Sequence, residues 1–579
     1  MTGSARAPII VVGGGIGGLT TALALHRRGL ACRVFEQSPS IRELGVGINT
    51  LPHAIGELAT LDLLERLDAV AVRTYELIYM NRLGQEVWRE LRGLDAGHPV
   101  PQFSIHRGLL QGVLRDAVVQ RLGPGVICTG CRLAGFDQDG DGVTATFVDR
   151  AGAMAQTVRG AALIGADGIH SVVRGTLVPG EPPPRWNGTM LWRGATDWPR
   201  FLTGRSMIIA GGMQAKVVLY PIGDGSDEDH RLTNWAVMVK IGDEGTPPPR
   251  REDWSRPGRL EEVMPHVERF RIEEVDVPAL IRSTPVFWEY PVCDRDPIDR
   301  WSRGRVTLLG DAAHPMYPVG SNGASQAVLD AMALADELAQ AGDVADALRR
   351  YEEARLTPTA EIVRSNRQGG PEGVIDAVEA LAPEGYGDVD AVLPHAERQA
   401  IVRGYAQKAG FAVPATQQAT MTRRTRMTAP AAPSTADVII ADASADDIAW
   451  NILGQVYRPK QVTERSFAWH AEFPPETFVP PHIHPTQDEY VYVLEGELTV
   501  VDGEADRQAH AGDLARLPMG QPHGLFNRSG ATVRCLFWVT PTGRLYDLFV
   551  AIDAMEDQNP DDVVALAARH EVNFLPPPS

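Results

Sequence analysis

The 579-residue chain is long for one domain, and three or so is the length-based expectation. Its 44% hydrophobic and 22% charged content is that of a globular protein able to bury sizeable cores. A formal charge of -19 argues against nucleic acid or an anionic membrane surface as the main partner. No apolar run is long enough to span a bilayer, the N-terminal apolar run feeds a glycine turn rather than a cleavage site, and five scattered cysteines suggest no disulfide framework, so a cytoplasmic enzyme is expected.

Pro8 to Val12 is a short apolar run, predicted as a buried parallel strand. It enters Gly13-Gly14-Gly15-Ile16-Gly17-Gly18, then an Ala/Leu-rich helix closing at Gly29, then a strand from Cys32 to Phe35 ending at Glu36. In that setting the glycines point to a dinucleotide. Gly13 permits the tight turn, Gly15 lets the backbone approach a pyrophosphate, and Gly18 lets the helix pack closely. The helix N-terminus suits the phosphates, and Glu36 is placed for ribose hydroxyls. Cys128 and Cys131 form a lone CxxC with no second pair nearby, too little for a zinc or redox site.

No second fingerprint follows. Instead, LIGADGIHSVVR (Leu163 to Arg174) turns at Ala166-Asp167-Gly168, with Asp167 a candidate cofactor contact, and RVTLLGDAAHP (Arg305 to Pro315) delivers Asp311 beside Gly310. Asp311 at a strand end can hold the ribityl hydroxyls of FAD; an ordinary helix cap is the alternative. Gly320 to Ser325, containing Gly323, begins a helix whose amides can face the isoalloxazine. Gly188 to Thr196 and Lys216 to Pro221 alternate like strands that would roof the flavin. Trp192, Tyr220 and Tyr317 are candidates for the ring-facing wall, with ordinary packing as the alternative. His53 and His314 could move a proton from a phenol, or be structural. Asp330 to Thr357 reads as helix, and Gly373 to Phe411 as helix interrupted near Pro383 to Gly387 and at Pro394. Pro414 to Asp437 has the composition of a linker, with Arg423, Arg424 and Arg426 as a solvated charge run or a dock for the acidic body.

These strings resemble the single-component FAD-dependent aromatic monooxygenases of the p-hydroxybenzoate hydroxylase superfamily. Within it they are similar to the 5-methylphenazine-1-carboxylate 1-monooxygenases, through LGVGIN (Leu44 to Asn49), QFSIHRGLLQ (Gln102 to Gln111), MLWRG (Met190 to Gly194), DRDPIDRWSRGRVTLLGDAAH (Asp294 to His314) and YPVGSNGASQAVLDA (Tyr317 to Ala331). The resemblance extends from Pro8 to about Gln368, with Pro315 and Ser321-Asn322 as small departures. It implies FAD, transient NADH or NADPH, and transfer of one oxygen atom to an electron-rich ring. It also implies that Arg107 lies near the FAD and that Arg42 faces the pyrophosphate, a plain surface charge being the alternative for each.

From Val438 the texture becomes short β-type runs divided by Gly, Pro and Asp, such as Tyr490 to Leu494, Leu498 to Val501 and Val533 to Thr540. His482 and His484, two apart, share a strand face; Glu489 follows, and His523 and Asn527 come after Gly512, Pro518 and Gly520. The two segments resemble both cupin motifs. That resemblance implies His482, His484, Glu489 and His523 as ligands of one divalent transition metal (Fe, Mn, Ni, Co, Cu or Zn).

The expected architecture is an α/β, Rossmann-like FAD-binding domain with an inserted β-sheet substrate domain, followed by an all-β cupin barrel. Residues 1–413 would form the monooxygenase (FAD parts about 1–180 and 285–413, substrate sheet about 181–284), 414–437 the linker and 438–579 the cupin. The expected function is hydroxylation of a small aromatic or N-heteroaromatic substrate with O2, the cupin oxidising the product. The alternative is a cupin serving dimerisation or ligand sensing, and a homodimer through the cupin is a further expectation.

Overall fold

The computed structural model describes residues 7–41, 46–250, 256–412, 448–462, 466–502, 505–553, 555, 558–568, 570 and 572–575. Arg42, the 414–437 segment and its three arginines lie outside these residues. The chain divides into two compact units, Met1–Pro414 and Ala415–Ser579.

The first unit is organised by a five-stranded parallel sheet. Its strands run in the order Val306–Leu308, Leu163–Gly165, Ile9–Val12, Cys32–Phe35, Ile127–Cys128. Ile9–Val12 is central and buried throughout, which is why it reads as a continuous apolar run. Chain order reverses on either side of it, so a crevice opens at the carboxyl ends of these strands. Helices Ile16–Arg27, Arg107–Leu122 and Gly323–Gln340 pack nearby and close the main core.

A seven-stranded sheet forms the second layer, in the order Phe287–Asp294, Arg185–Pro199, His230–Lys240, Ala215–Asp224, Ser206–Ala210, Glu76–Met80, Glu86–Leu91. Its last two strands come from residues 76–91, outside the inserted stretch expected from sequence. They join because Glu76–Met80 pairs in parallel with Ser206–Ala210. The expected helix from Asp330 to Thr357 is two helices, Gly323–Gln340 and Val344–Arg367, the second capped by Asp343, whose side chain accepts from Asp346 N. Gly373–Leu381, Val389–Val392 and His395–Lys408 follow with the interruptions expected at the prolines.

The second unit is two antiparallel sheets of six and five strands around an aromatic interior that includes Trp469, Phe473 and Phe537. No described helix is long and apolar enough to cross a membrane.

Candidate functional sites

Motifs far apart in sequence meet at the carboxyl edge of the parallel sheet. Gly13 has φ +110°, and a Cβ there would lie 2.2 Å from Ala166 O, so both backbone angle and space require glycine. At Gly18 a Cβ would lie 1.9 Å from Gly13 O, whereas at Gly15 it would meet nothing within 4 Å. Gly15 therefore faces open space where backbone can approach a phosphate. Helix Ile16–Arg27 has no side-chain cap and no acid in its first turn, leaving its amides for an anion. Glu36 Oε2 accepts from Gly14 N at 2.7 Å, which holds the carboxylate against the turn. Gln111, a residue whose role sequence reasoning missed, donates to Gly14 O at 2.8 Å from helix Arg107–Leu122.

Asp311 and Arg107 reach solvent, yet burial raises the Asp311 carboxyl and lowers the Arg107 guanidinium, each opposed in part by the other's charge. Solvent contact amid dense protein is what a deep open cleft produces. Gly323 opens helix Gly323–Gln340, which again lacks a side-chain cap. Asp167 is turned elsewhere: it accepts from Ser171 Oγ at 2.5 Å and from Val172 N at 2.7 Å, capping its own helix. Its carboxylate is a structural cap, which corrects its placement among cofactor contacts. Arg174, fully buried, donates to Ala312 O at 3.2 Å and Ala313 O at 2.7 Å and so ties the second string to the third.

The large sheet has an outer and an inner face. Met190 and Trp192 point outward into a core shared with helices Leu260–Val267 and Val277–Arg282, and Trp192 Nε1 donates to Glu289 at 3.2 Å. Trp192 is therefore packing, not a ring-facing wall. Its neighbours Leu191 and Arg193 take the inner face. There Leu191, Met238, Tyr290 and Val292 meet Tyr317 and Val319 of the flavin loop. Arg193 donates to Tyr290 Oη at 3.2 Å and to Gly47 O, and Asn234 Oδ1 accepts from Gly47 N at 2.8 Å. Tyr220 is buried beside Gly47, and burial pushes its phenol up to about 12. Arg193 and Asn234 were not singled out from sequence; strand alternation opposite Trp192 was the available signal for Arg193.

The two histidines have structural surroundings. His314 Nε2 lies 2.6 Å from Asp330 Oδ2 in a buried pair. Asp330 also accepts from Gly310 N at 3.1 Å and Arg355 Nε at 2.8 Å. His53 packs on Phe411 near Gln326, and burial lowers it to about 3. Neither is placed by these contacts for proton transfer from a ring. All five cysteines are free; Cys128 Sγ accepts from Arg33 and Cys131 Sγ from Gln156.

In the second unit, His482, His484, Glu489 and His523 are buried, with candidate ligand atoms all within 4.8 Å of one another. Among the described residues this is the group of His, Cys, Asp and Glu side chains close enough to hold an ion. His482 and His523 are cross-strand partners in one sheet, while Glu489 comes from the other. Each imidazole Nδ1 has an oxygen acceptor: Pro480 O at 2.9 Å for His482, Gln521 O at 3.0 Å for His523 and Gln487 Oε1 at 3.2 Å for His484. Gln487 is oriented by donating to Pro541 O at 3.0 Å. With Nδ1 carrying the proton, the Nε2 lone pairs converge, those of His482 and His484 only 3.1 Å apart. Lone pairs facing at that distance fit a cation between them. Burial, together with the other histidines, lowers His482 to about 3 and keeps it neutral. Glu489 Oε2 lies 3.1 Å from His523 Nε2 and 3.3 Å from His484 Nε2, so the carboxylate faces the same point as the imidazole lone pairs. Asn527 Nδ2 donates to Phe473 O, Pro474 O and Ala531 O and anchors a turn.

The FAD binding domain family matches residues 6–197 and 249–366, and the cupin domain family matches residues 469–539. Phenazine 1,6-dicarboxylic acid hydroxylase PhzS of Lysobacter antibioticus is 44% identical over 371 residues, covering 63% of this chain and 91% of the relative. The chain belongs to the FAD-dependent aromatic monooxygenases, with a cupin domain fused behind. This monooxygenase is also 35% identical over 374 residues to 3-amino-4-hydroxybenzoate 2-monooxygenase PtnB3 of Streptomyces platensis, covering 63% of this chain and 88% of that one. Among solved structures, Klebsiella pneumoniae HpxO complexed with FAD and uric acid superposes with a TM-score of 0.54 at 23% identity, covering 70% of this chain and 97% of that one, a likeness of fold. FAD is the cofactor of the family, and the open glycine turn, the two uncapped helix ends and the cleft acid fit it.

Proposed function

We propose that the flavin unit hydroxylates an aromatic or N-heteroaromatic acid or phenol using NADH or NADPH, and that the cupin unit oxidises the hydroxylated product with O2. The observation that carries the tandem reading is the complete, convergent four-donor set in the cupin of a chain whose other unit is an aromatic hydroxylase. Relatives named for a phenazine dicarboxylic acid and an aminohydroxybenzoate support an acidic aromatic substrate. Bound FAD supplies the electron store and the place where oxygen is activated. The apolar inner face, with Leu191, Met238, Val292 and Val319, would exclude water and hold the ring flat. A divalent metal held by His482, His484, Glu489 and His523 would supply coordination positions open to substrate. Hydroxylation beside an existing oxygen gives a ring that chelates, and fusion raises its effective concentration.

The second reading, a non-catalytic cupin that dimerises or senses ligand, draws on an outward stripe. Tyr492 and Leu494 are exposed on one strand, and Leu514 is exposed opposite Tyr492 on the edge strand Leu514–Leu517. One experiment separates the two. His523→Ala in the full chain should lose metal by elemental analysis and still hydroxylate, and a hydroxylated intermediate should accumulate by mass spectrometry. An unchanged product profile in a verified metal-free variant rejects the tandem reading and leaves the monooxygenase.

A further inference from the structure

The two faces of the large sheet treat their polar groups differently. On the outer face Trp192 Nε1 is paired with Glu289, and Trp235 Nε1 donates to Thr284 Oγ1 at 2.8 Å. Toward the inner face Asn234 Nδ2, Arg193 Nε and the Tyr317 hydroxyl are buried without a hydrogen-bond partner. Buried donors are rarely left unmet, because each forfeits its water without compensation. The Asn234 amide cannot simply be turned over: its Oδ1 accepts from Gly47 N, so the donor end is the one left open. Tyr317 sits among Leu191, Met238, Val292 and Val319, where phenylalanine would pack as well. The Arg193 guanidinium donates to neutral oxygens of Gly47 and Tyr290, and the charge of Arg107 opposes its own.

We propose that Asn234 Nδ2 and Arg193 Nε together receive an anionic oxygen of the substrate, a carboxylate or phenolate, while the Tyr317 hydroxyl meets a second polar atom on the same ring. The inner face would thus select a planar aromatic with one anionic substituent and one further hydrogen-bonding atom. This rests on the aromatic hydroxylation proposed above and adds the residues that choose the substrate. Tyr290 bonds Arg193 and lies in the same buried cluster as Tyr317.

The test uses the FAD-loaded full chain, titrated with phenazine-1-carboxylate, 3-hydroxybenzoate and the methyl ester of each, followed by flavin absorbance. Wild type should bind each acid at least about tenfold more tightly than its ester. Asn234→Asp keeps the acceptor for Gly47 N and replaces the donor by an anionic oxygen. It should lose about 10- to 100-fold in acid affinity and abolish the preference over the ester. Tyr317→Phe should weaken acid binding about tenfold with Tm unchanged or raised, because an unmet hydroxyl is removed. That combination is not produced by a merely structural tyrosine. If Asn234→Asp fails to fold, Tyr317→Phe decides. Wild-type acid affinity in both variants, as a buried water on these donors would give, overturns the inference. If wild type hydroxylates acids and esters with equal affinity, this inference falls alone; if no aromatic compound binds or is hydroxylated, the functional reading falls with it.

Discussion

Asp330→Asn should loosen the flavin unit through a residue that touches no proposed ligand. Asp330 is fully buried and accepts from Gly310 N, from Arg355 Nε and from His314 Nε2. Although burial alone would raise it, His314 and Arg355 hold its carboxyl at about 2, against an ordinary 3.8. A carboxyl depressed that far contributes roughly 2.5 kcal/mol at neutral pH. Breaking one partner out of a buried ion pair costs roughly 3–5 kcal/mol, so the variant should lose between about 2.5 and 5 kcal/mol. The folded-state value lies below the unfolded one. The contribution is therefore complete above about pH 4 and lost as pH falls through about 2. Thermal unfolding followed by flavin fluorescence should show a drop of the order of 5 °C at pH 7. The gap between wild type and variant should be as large at pH 5, and should narrow only below about pH 4. FAD should also leave more readily, because Gly310 precedes Asp311. A loss under about 0.5 kcal/mol would refute the linchpin assignment.

Four other substitutions probe separate parts of the molecule. Gly13→Ala should yield insoluble or misfolded protein, because of its φ and the collision with Ala166 O, whereas Gly15→Ala should fold with a normal Tm and purify without yellow colour. A yellow, FAD-saturated Gly15→Ala protein would show that the phosphate does not approach there. Asp311→Ala should raise the FAD dissociation constant about 10- to 100-fold, measured by fluorescence titration, through loss of a charged hydrogen-bond acceptor in the cleft. An unchanged constant removes Asp311 from the cofactor site. Trp192→Phe should leave substrate affinity unchanged and lower stability by about 1–2 kcal/mol, since it loses an outward-facing hydrogen bond to Glu289. Tighter or weaker substrate binding in that variant would return Trp192 to the pocket wall.

Much of the candidate chemistry was legible because the motifs are local. A turn at Gly13 needs glycine whatever surrounds it, and the strand, turn and helix around it are contiguous in the chain. The two cupin motifs likewise carry their histidines and Glu489 on short strands whose alternation aims them. Less legible were the residues that support those groups. Gln487 orients His484 by holding two distant carbonyls, and Arg174 joins segments more than a hundred positions apart. Nothing in the strings around them announces those partners.

Sequence alone determined that Trp192 and Arg193 lie on opposite faces of one strand, because side chains alternate with period two. It also determined the cofactor turns, whose conformations follow from glycine and from short apolar strands. Only the tertiary structure decided which face meets the flavin loop. That choice depends on which layers cover the sheet, and both faces of this strand carry buried residues, so neither reads as solvent. Helices from residues 260–282 cover the Trp192 side, and the flavin loop covers the Arg193 side. The same long-range packing moved residues 76–91 into the substrate sheet and gave the Asp167 carboxylate to its own helix. Those outcomes are settled by contacts between distant segments, which no local pattern encodes.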